Sequence, residues 1–210
     1  MSNKYEIIDL GNFKRKDYVQ IYRSAALPQY CVSFELDVKR FAGRVKRENL
    51  SFTLAFIYAV SKCASEIEEF RYRFLEDGQV ALFESVDTSF TWLEPETELF
   101  KVVVVPMRET MEEYVTLALE TAEHQKAHFT GPVGNDIFHF SALPWVTFTH
   151  VSHTDFGNPL KAQPIFDWGK YAERDGKLMM PFAVQVHHAF VDGIHIGKLA
   201  DRLQKYLNER

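Results

Sequence analysis

Cysteine is scarce in this chain of 210 residues, which has only Cys31 and Cys63. Two cysteines this far apart provide neither a disulfide framework nor a cysteine-rich zinc site. Cys63 falls on an apolar helical pattern and is expected to be buried packing. The chain also lacks any apolar run long enough to cross a bilayer, and its first residues, MSNKYEIIDLG, hold no apolar signal core. We therefore expect a cytoplasmic protein without a membrane partner.

An excess of positive charge is also missing, since the formal net charge is −5. Nucleic-acid binding requires clustered positive charge, so no nucleic-acid partner is expected. The one dense basic segment, residues 39–47, is interrupted by apolar residues. This pattern predicts a helix whose basic side chains face solvent. Aromatic residues are plentiful at 14% of the chain. They fit either a well-filled core or aromatic-lined cavities.

No glycine- or serine-rich linker, low-complexity tract or repeat divides the chain, so residues 1–210 are predicted to form a single domain. Hydrophobic periodicity predicts helices and strands without a regular βαβ alternation, which favours an α+β two-layer sandwich. The predicted helices are residues 15–23, a run beginning after Ser51, 110–126 and 194–207. The predicted extended segments are residues 5–8, 30–38, 71–75, 80–83, 138–151 and 180–188, with tight turns at Asp77-Gly78 and Asp175-Gly176.

Three histidines lie close together in the segment 185–195, QVHHAFVDGIH. A metal site is the first interpretation to test. Adjacent strand residues point to opposite faces, so His187 and His188 are poorly placed to bind one ion. The segment also lacks the HExxH pattern, and both cysteines lie far away. No metal is therefore expected.

His188 could instead act as a base. It follows Phe182, Val184 and Val186 in an alternating apolar pattern that would leave its ring partly desolvated. Desolvation favours the neutral imidazole, which is the form that a general base needs near pH 7. The segment by itself also fits a core histidine followed by Asp192 as a helix cap.

This segment resembles the signature of the chloramphenicol acetyltransferase family at every position except Ile194, where the family usually has Phe or Tyr. Its looser core, HHxxxDG, is shared with dihydrolipoyl acyltransferases and peptide-synthetase condensation domains. Three further segments resemble the family in the same order, so the resemblance covers nearly the whole chain. They are Phe13-Lys14-Arg15 with Tyr22-Arg23, residues 96–100 (ETELF), and residues 141–146 (SALPWV) with Pro164-Ile165 and Gly169-Lys170-Tyr171.

The resemblance implies an α+β sandwich of the chloramphenicol acetyltransferase type, with a mixed sheet and helices packed on one face. It also implies direct acetyl transfer from acetyl-CoA, a cosubstrate, to a hydroxyl group, with chloramphenicol as the leading acceptor and no bound cofactor. His188 matches the family's general base, and Ser141 matches the serine that stabilises the tetrahedral oxyanion. No acyl-enzyme is expected.

Other residues receive supporting roles from the same resemblance. Arg15 and Asp192 are expected to form a structural ion pair, while a backbone carbonyl orients His188. His195 is expected to make buried hydrogen bonds. Acceptor positions are Tyr22, Phe100, Val151 and Ile165, and positions near CoA are Trp145 and Lys170.

The family's assembly implies a homotrimer with each active site between subunits. His188 would come from one chain, and Tyr22 and Ser141 from its neighbour. Three positions depart from the family pattern at the acceptor site, namely Val151, His153 and Asp167. Two alternatives therefore remain open: an acetyltransferase of the same fold with a different hydroxylated acceptor, and a non-catalytic small-molecule binder.

Overall fold

The computed structural model describes residues 4–131, 133–154 and 156–209. Within these ranges the chain forms ten strands and five α-helices. The strands are β1 (Tyr5–Ile7), β2 (Gln29–Asp37), β3 (Tyr72–Phe74), β4 (Val80–Phe83), β5 (Asp87–Glu94), β6 (Leu99–Val105), β7 (Ile137–Leu143), β8 (Ile165–Gly169), β9 (Ala172–Arg174) and β10 (Lys177–His187). The helices are α1 (Lys16–Tyr22), α2 (Lys39–Arg47), α3 (Phe52–Ser65), α4 (Met111–His124) and α5 (Gly193–Leu207).

Local side-chain chemistry begins two of the helices. The Ser51 hydroxyl accepts a hydrogen bond from the Leu54 N–H at the start of α3, as the sequence predicts for a helix cap. Thr110 and Glu113 form a reciprocal capping box at the start of α4. Both caps satisfy backbone N–H groups that have no partner within the helix.

The two predicted tight turns are present. Gly78 has φ +79° between β3 and β4, and Asp175 and Gly176 both have positive φ between β9 and β10. Two successive positive φ angles match the twist of a hairpin, and residues of the Asp-Gly type adopt them at low cost. The hairpins therefore follow from the sequence directly.

A large mixed sheet organises the molecule, with strands in the order β2-β10-β8-β7-β5-β6 and with β9 paired to β10. The pairs β5/β7 and β7/β8 are parallel, and the other pairs are antiparallel. A second sheet of three strands has the order β1-β4-β3. The α+β prediction is confirmed.

The helices cover one face of the large sheet. Phe182 on β10 and Trp168 on β8 are buried on this face, and both rings contact Phe56 of α3. The alternation of side chains along a strand places Ala183 and Asp167 on the opposite face. That second face carries the polar groups discussed below.

Two strand boundaries differ from the prediction. The extended segment predicted for residues 138–151 ends as a strand at Leu143, because Pro144 has no N–H to donate to a neighbouring strand. β10 ends at His187, so His188 lies one residue beyond the strand that was expected to contain it. The basic segment is helix α2, as predicted.

Candidate active site

The two adjacent histidines have different environments. The His187 ring is buried, its Nε2 lies 2.8 Å from the Pro159 carbonyl oxygen, and its Nδ1 accepts the Ala189 N–H. Burial lowers the pKa of His187 to about 4, so the ring stays neutral near pH 7. Both ring nitrogens of His187 form hydrogen bonds within the protein, so neither is available to act as a base.

His188 is partly open to solvent, with 36% of its side chain exposed. Its ring lies between two tyrosines, stacked on Tyr22 at 4.5 Å and tilted against Tyr30 at 4.6 Å between ring centroids. Its Nδ1 lies 3.1 Å from Asp192 Oδ1. An ionised carboxylate can only accept, so Nδ1 carries the proton and Nε2 presents a lone pair. This is the arrangement of a general base held by a carboxylate.

This geometry corrects two expectations about His188. The group that orients its Nδ1 is the Asp192 carboxylate, not a backbone carbonyl. Tyr22 stacks on the His188 ring from within the same chain. The prediction that Tyr22 comes from a neighbouring subunit is therefore wrong.

Arg15 and Asp192 form the expected ion pair. Arg15 NH1 lies 2.6 Å from Asp192 Oδ2, and NH2 lies 2.9 Å from Oδ1. The same guanidinium donates to the carbonyls of Ala189 and His188, so it holds the loop after β10 as well as the carboxylate. The Arg15 hydrogen bond is the main reason that the pKa of Asp192 is lowered, and the carboxylate is therefore ionised near pH 7.

His195 makes the expected buried hydrogen bonds. Its Nδ1 accepts the Asp192 N–H at 2.9 Å, which requires the ring proton to be on Nε2. Nε2 lies 3.4 Å from Glu69 Oε1, and Glu69 in turn pairs with Lys14 at 3.0 Å. His195 and Asp192 thus form the capping box that begins α5.

Ser141 lies on β7 and lines a cavity of about 590 Å³. Trp145 and Phe100 line the same cavity, although the resemblance assigned one to CoA and the other to the acceptor. Lys170 lies beside this segment, because its N–H donates to the Val146 carbonyl at 2.7 Å. Four of the predicted site residues therefore lie at or beside this cavity, namely Phe100, Ser141, Trp145 and Lys170.

Val151 and Ile165 line a second cavity of about 280 Å³, together with Tyr30, Cys31 and His153. Of the departures from the family pattern, Val151 and His153 line this cavity, and His153 Nε2 lies 2.9 Å from Oδ2 of the third, the buried Asp167. We name this space the His153 cavity. Since Tyr30 lines it and also contacts His188, the cavity adjoins the candidate base.

His188 and Ser141 do not meet within one chain. In the sheet, Ser141 on β7 is paired with Asp167 on β8, and Asp167 is paired with Ala183 on β10. His188 lies five residues beyond Ala183, about 17 Å along the strand, and β7 and β10 are about 10 Å apart across the sheet. The two Cα atoms are therefore separated by about 20 Å, which is farther than an imidazole and a hydroxyl can span.

Two site residues were not identified from the sequence. Tyr30 was recognised only as part of an alternating strand, because its place beside His188 depends on the register of β2 against β10. Glu69 gave no signal, since a glutamate in an acidic segment such as residues 66–69 (EIEE) is ordinarily exposed, whereas this residue is 8% exposed.

The described ranges contain no cluster of three or more histidine, cysteine, aspartate or glutamate side chains suited to hold a metal ion. None of the helices within the same ranges has the length and apolar character needed to cross a bilayer.

Comparison with known proteins gives one consistent result. A family model described as chloramphenicol acetyltransferase matches residues 3–204. A chloramphenicol acetyltransferase from Streptomyces acrimycini is 34% identical over 204 residues, which cover 95% of this chain and 93% of that protein. Another from Escherichia coli is 28% identical over 208 residues, which cover 98% of this chain and 94% of that protein.

Solved structures give the same fold. A chloramphenicol acetyltransferase structure superposes with a TM-score of 0.90 at 27% identity, covering 98% of this chain and all (100%) of that one. A probable dihydrolipoamide acetyltransferase from Listeria monocytogenes has a TM-score of 0.64 at 17% identity, covering 96% of this chain and 93% of that one. The second likeness concerns the fold alone.

We expect Asp192→Asn to destabilise the protein, because it leaves the guanidinium of Arg15 buried without its charge partner. Breaking a buried ion pair lowers the free energy of unfolding by about 3 to 5 kcal/mol. Because Asp192 is partly exposed, we expect the lower end of this range, about 3 kcal/mol. The melting temperature should then fall by about 6 to 12 °C. Glu66→Gln is the control, since the Arg202–Glu66 pair is about half exposed on both sides (47% and 51%) and should lose less than about 1 kcal/mol. Equal melting temperatures for the two variants would contradict the assignment.

The stabilisation by Asp192 should also depend on pH. Its pKa is lowered in the folded state, so its contribution is present above the unfolded pKa of about 3.9 and is lost as the pH falls through the folded value. Urea unfolding should therefore show a constant gap in the free energy of unfolding between the unmodified protein and Asp192→Asn above about pH 5, and a shrinking gap below about pH 4. A gap that stays constant from about pH 5 down to about pH 2 would contradict the assignment.

Proposed function

The chain belongs to the chloramphenicol acetyltransferase family, and from that membership we propose that it transfers the acetyl group of acetyl-CoA to a hydroxyl group of chloramphenicol. The observation that carries the proposal is the environment of His188. Its Nδ1 is held by Asp192 while 36% of the side chain remains accessible. An alcohol is a weak nucleophile near pH 7, so the transfer needs a base of this kind.

The proposed reaction proceeds in two steps. His188 Nε2 removes the hydroxyl proton while the alcohol oxygen bonds to the thioester carbonyl carbon, and the Ser141 hydroxyl donates to the resulting oxyanion. The tetrahedral intermediate then expels the CoA sulfur, which takes the proton back from His188. Acetyl ester and free CoA thiol are the products. No metal or prosthetic group takes part.

The cysteines support direct transfer without an acyl-enzyme. Burial raises the pKa of Cys31 to about 11 and the pKa of Cys63 to about 12. Both thiols therefore stay protonated near pH 7, whereas a sulfur nucleophile must be a thiolate.

The proposed active site combines two chains in a homotrimer. His188 and Ser141 are about 20 Å apart within one chain by strand spacing, so a site that uses both residues needs a second copy. His188 with Tyr22 would come from one subunit, and Ser141 with Phe100 and Trp145 from its neighbour. Phe100 and Trp145 are 49% and 64% exposed, which supports their contact with another chain or with ligands.

The remaining assignments follow the same arrangement. Val151 and Ile165 would contact the acceptor, whereas Trp145 and Lys170 would contact CoA. The cytoplasm is the proposed location, since the reaction consumes acetyl-CoA there. The alternative with a different hydroxylated acceptor is favoured by one observation, that the polar His153, which is paired with the buried Asp167, lines the cavity.

We expect purified protein to release CoA thiol when acetyl-CoA and chloramphenicol are both present. His188→Ala should lower kcat by about 10² to 10⁴, and Ser141→Ala by about 10² to 10³, because each loses one group that acts in the transition state. Both variants should keep the melting temperature of the unmodified protein to within a few degrees. His124→Ala, which removes an exposed histidine of α4, is the control. Full activity of His188→Ala would exclude the base assignment, and binding without turnover by the unmodified protein would support the non-catalytic alternative.

A mixing experiment tests the two-chain site. His188→Ala and Ser141→Ala subunits, co-expressed in equal amounts, should regain about one quarter of full activity, because a random trimer pairs an intact histidine with an intact serine at about one site in four. Either variant alone should remain nearly inactive. If no activity returns in mixed trimers that have been isolated as such, both groups act within one chain and the proposed arrangement is wrong.

A further inference from the structure

Asp192 is held at two different groups. Arg15 binds its carboxylate, whereas His195 Nδ1 accepts its backbone N–H at 2.9 Å. A backbone N–H can only donate, so this hydrogen bond exists only while His195 Nδ1 has a lone pair. The His195 ring must therefore be neutral, with its one proton on Nε2.

Glu69 is the acceptor that lies next to this proton. Its Oε1 is 3.4 Å from His195 Nε2, and both residues are buried. Lys14 Nζ donates to the same oxygen at 3.0 Å. Burial raises the pKa of Glu69, but the hydrogen bonds from Lys14 and from the backbone outweigh burial, and the pKa is lowered overall. The carboxylate is therefore ionised near pH 7, and it can only accept.

The His195 ring remains neutral beside this carboxylate. Burial lowers the pKa of His195, although the negative charge of Glu69 acts in the opposite direction. A neutral ring carries its single proton toward the acceptor, so Glu69 favours the proton on Nε2 and the lone pair on Nδ1. Glu69 itself lies in a short 3-10 helix, Glu68–Phe70, which the 0% exposed Phe70 anchors in the core.

Arg15 by itself does not secure the hydrogen bond between Asp192 and His188. Asp192 Oδ1 is shared, since it lies 2.9 Å from Arg15 NH2 and 3.1 Å from His188 Nδ1. A small turn of the carboxylate toward Arg15 would release the imidazole. The bond from the Asp192 N–H to His195 opposes this turn, because it fixes the backbone from which the carboxylate projects.

We propose that Glu69 is a positioning residue for the proposed reaction and that it acts on His188 through two intermediate residues. Its oxygen keeps the His195 lone pair directed at the Asp192 N–H. Asp192 thereby keeps accepting from His188 Nδ1, and His188 Nε2 is left with the lone pair that takes the substrate proton. This inference rests on the proposed function and adds a residue to that same site.

The tautomers of the two histidines test the proposal without an activity assay. In protein labelled with nitrogen-15 histidine, NMR near pH 7 should show the ring proton of His195 on Nε2 and that of His188 on Nδ1. Glu69→Leu, which has a similar volume and no acceptor oxygen, should move part of the His188 population to the form protonated on Nε2. Glu69→Gln keeps an oxygen at this position and should preserve both tautomers.

Two NMR results would overturn the proposal. One is a proton on His195 Nδ1 in the unmodified protein, a measurement that does not depend on the folding of any variant. The other is an unchanged His188 tautomer in Glu69→Leu, since the proposed contacts would then have no effect on the base.

Turnover should follow the tautomer. Glu69→Leu should lower kcat by about 10- to 100-fold, because a displacement of about 1 Å at a catalytic group can cost about 100-fold. KM should stay within about twofold, since the base acts in the transition state. Glu69→Gln should keep most of kcat. Glu68→Leu is the matched control and should leave kcat unchanged, because Glu68 is an exposed neighbour that accepts from the Tyr72 hydroxyl.

The kinetic outcomes separate this inference from the proposed function. If the unmodified protein acetylates chloramphenicol and Glu69→Leu loses only thermal stability, the function is retained and the positioning role is rejected. A kcat as low in Glu69→Gln as in Glu69→Leu would also reject it. If the unmodified protein has no turnover but the His188 tautomer still depends on Glu69, the function is rejected and the contacts that orient His188 are retained.

Discussion

The carboxylate of Asp192 is the interaction on which the candidate site depends. It forms a two-pronged ion pair with Arg15 and accepts a hydrogen bond from His188 Nδ1. The backbone N–H of Asp192 donates to His195 Nδ1. One residue therefore joins helix α1, the loop after β10 and the first turn of α5. Since Arg15 also holds two carbonyls of that loop, the orientation of the imidazole and the stability of this corner of the fold are linked.

The register of the large sheet is the second constraint. The pairing of β7, β8 and β10 fixes Ser141 level with Ala183, and His188 lies five residues farther along. A strand cannot slip by a few residues without moving its buried side chains out of the core, so this separation is rigid. In the proposed reaction, the base and the oxyanion donor would therefore come from two copies of the chain.

Two histidine–aspartate pairs in the same chain differ in burial. Asp192 is partly exposed and is paired with Arg15, which lowers its pKa, whereas Asp167 is buried with the His153 ring as its hydrogen-bond partner, and burial raises its pKa. The first pair suits a base that must exchange protons with substrate.

The sequence by itself determined the α+β class, the cap at Ser51 and the hairpin turns, and it singled out His188 as the candidate base, because caps, turns and motifs depend on neighbouring residues. The partners of His188 were decided only by the tertiary structure. Tyr30 reaches it through strand pairing, Tyr22 through the packing of α1 in the same chain, and Asp192 replaces the expected carbonyl. The buried Glu69 and the His153–Asp167 pair are of the same kind. Contacts between residues far apart in the chain depend on register and packing, which no local pattern encodes.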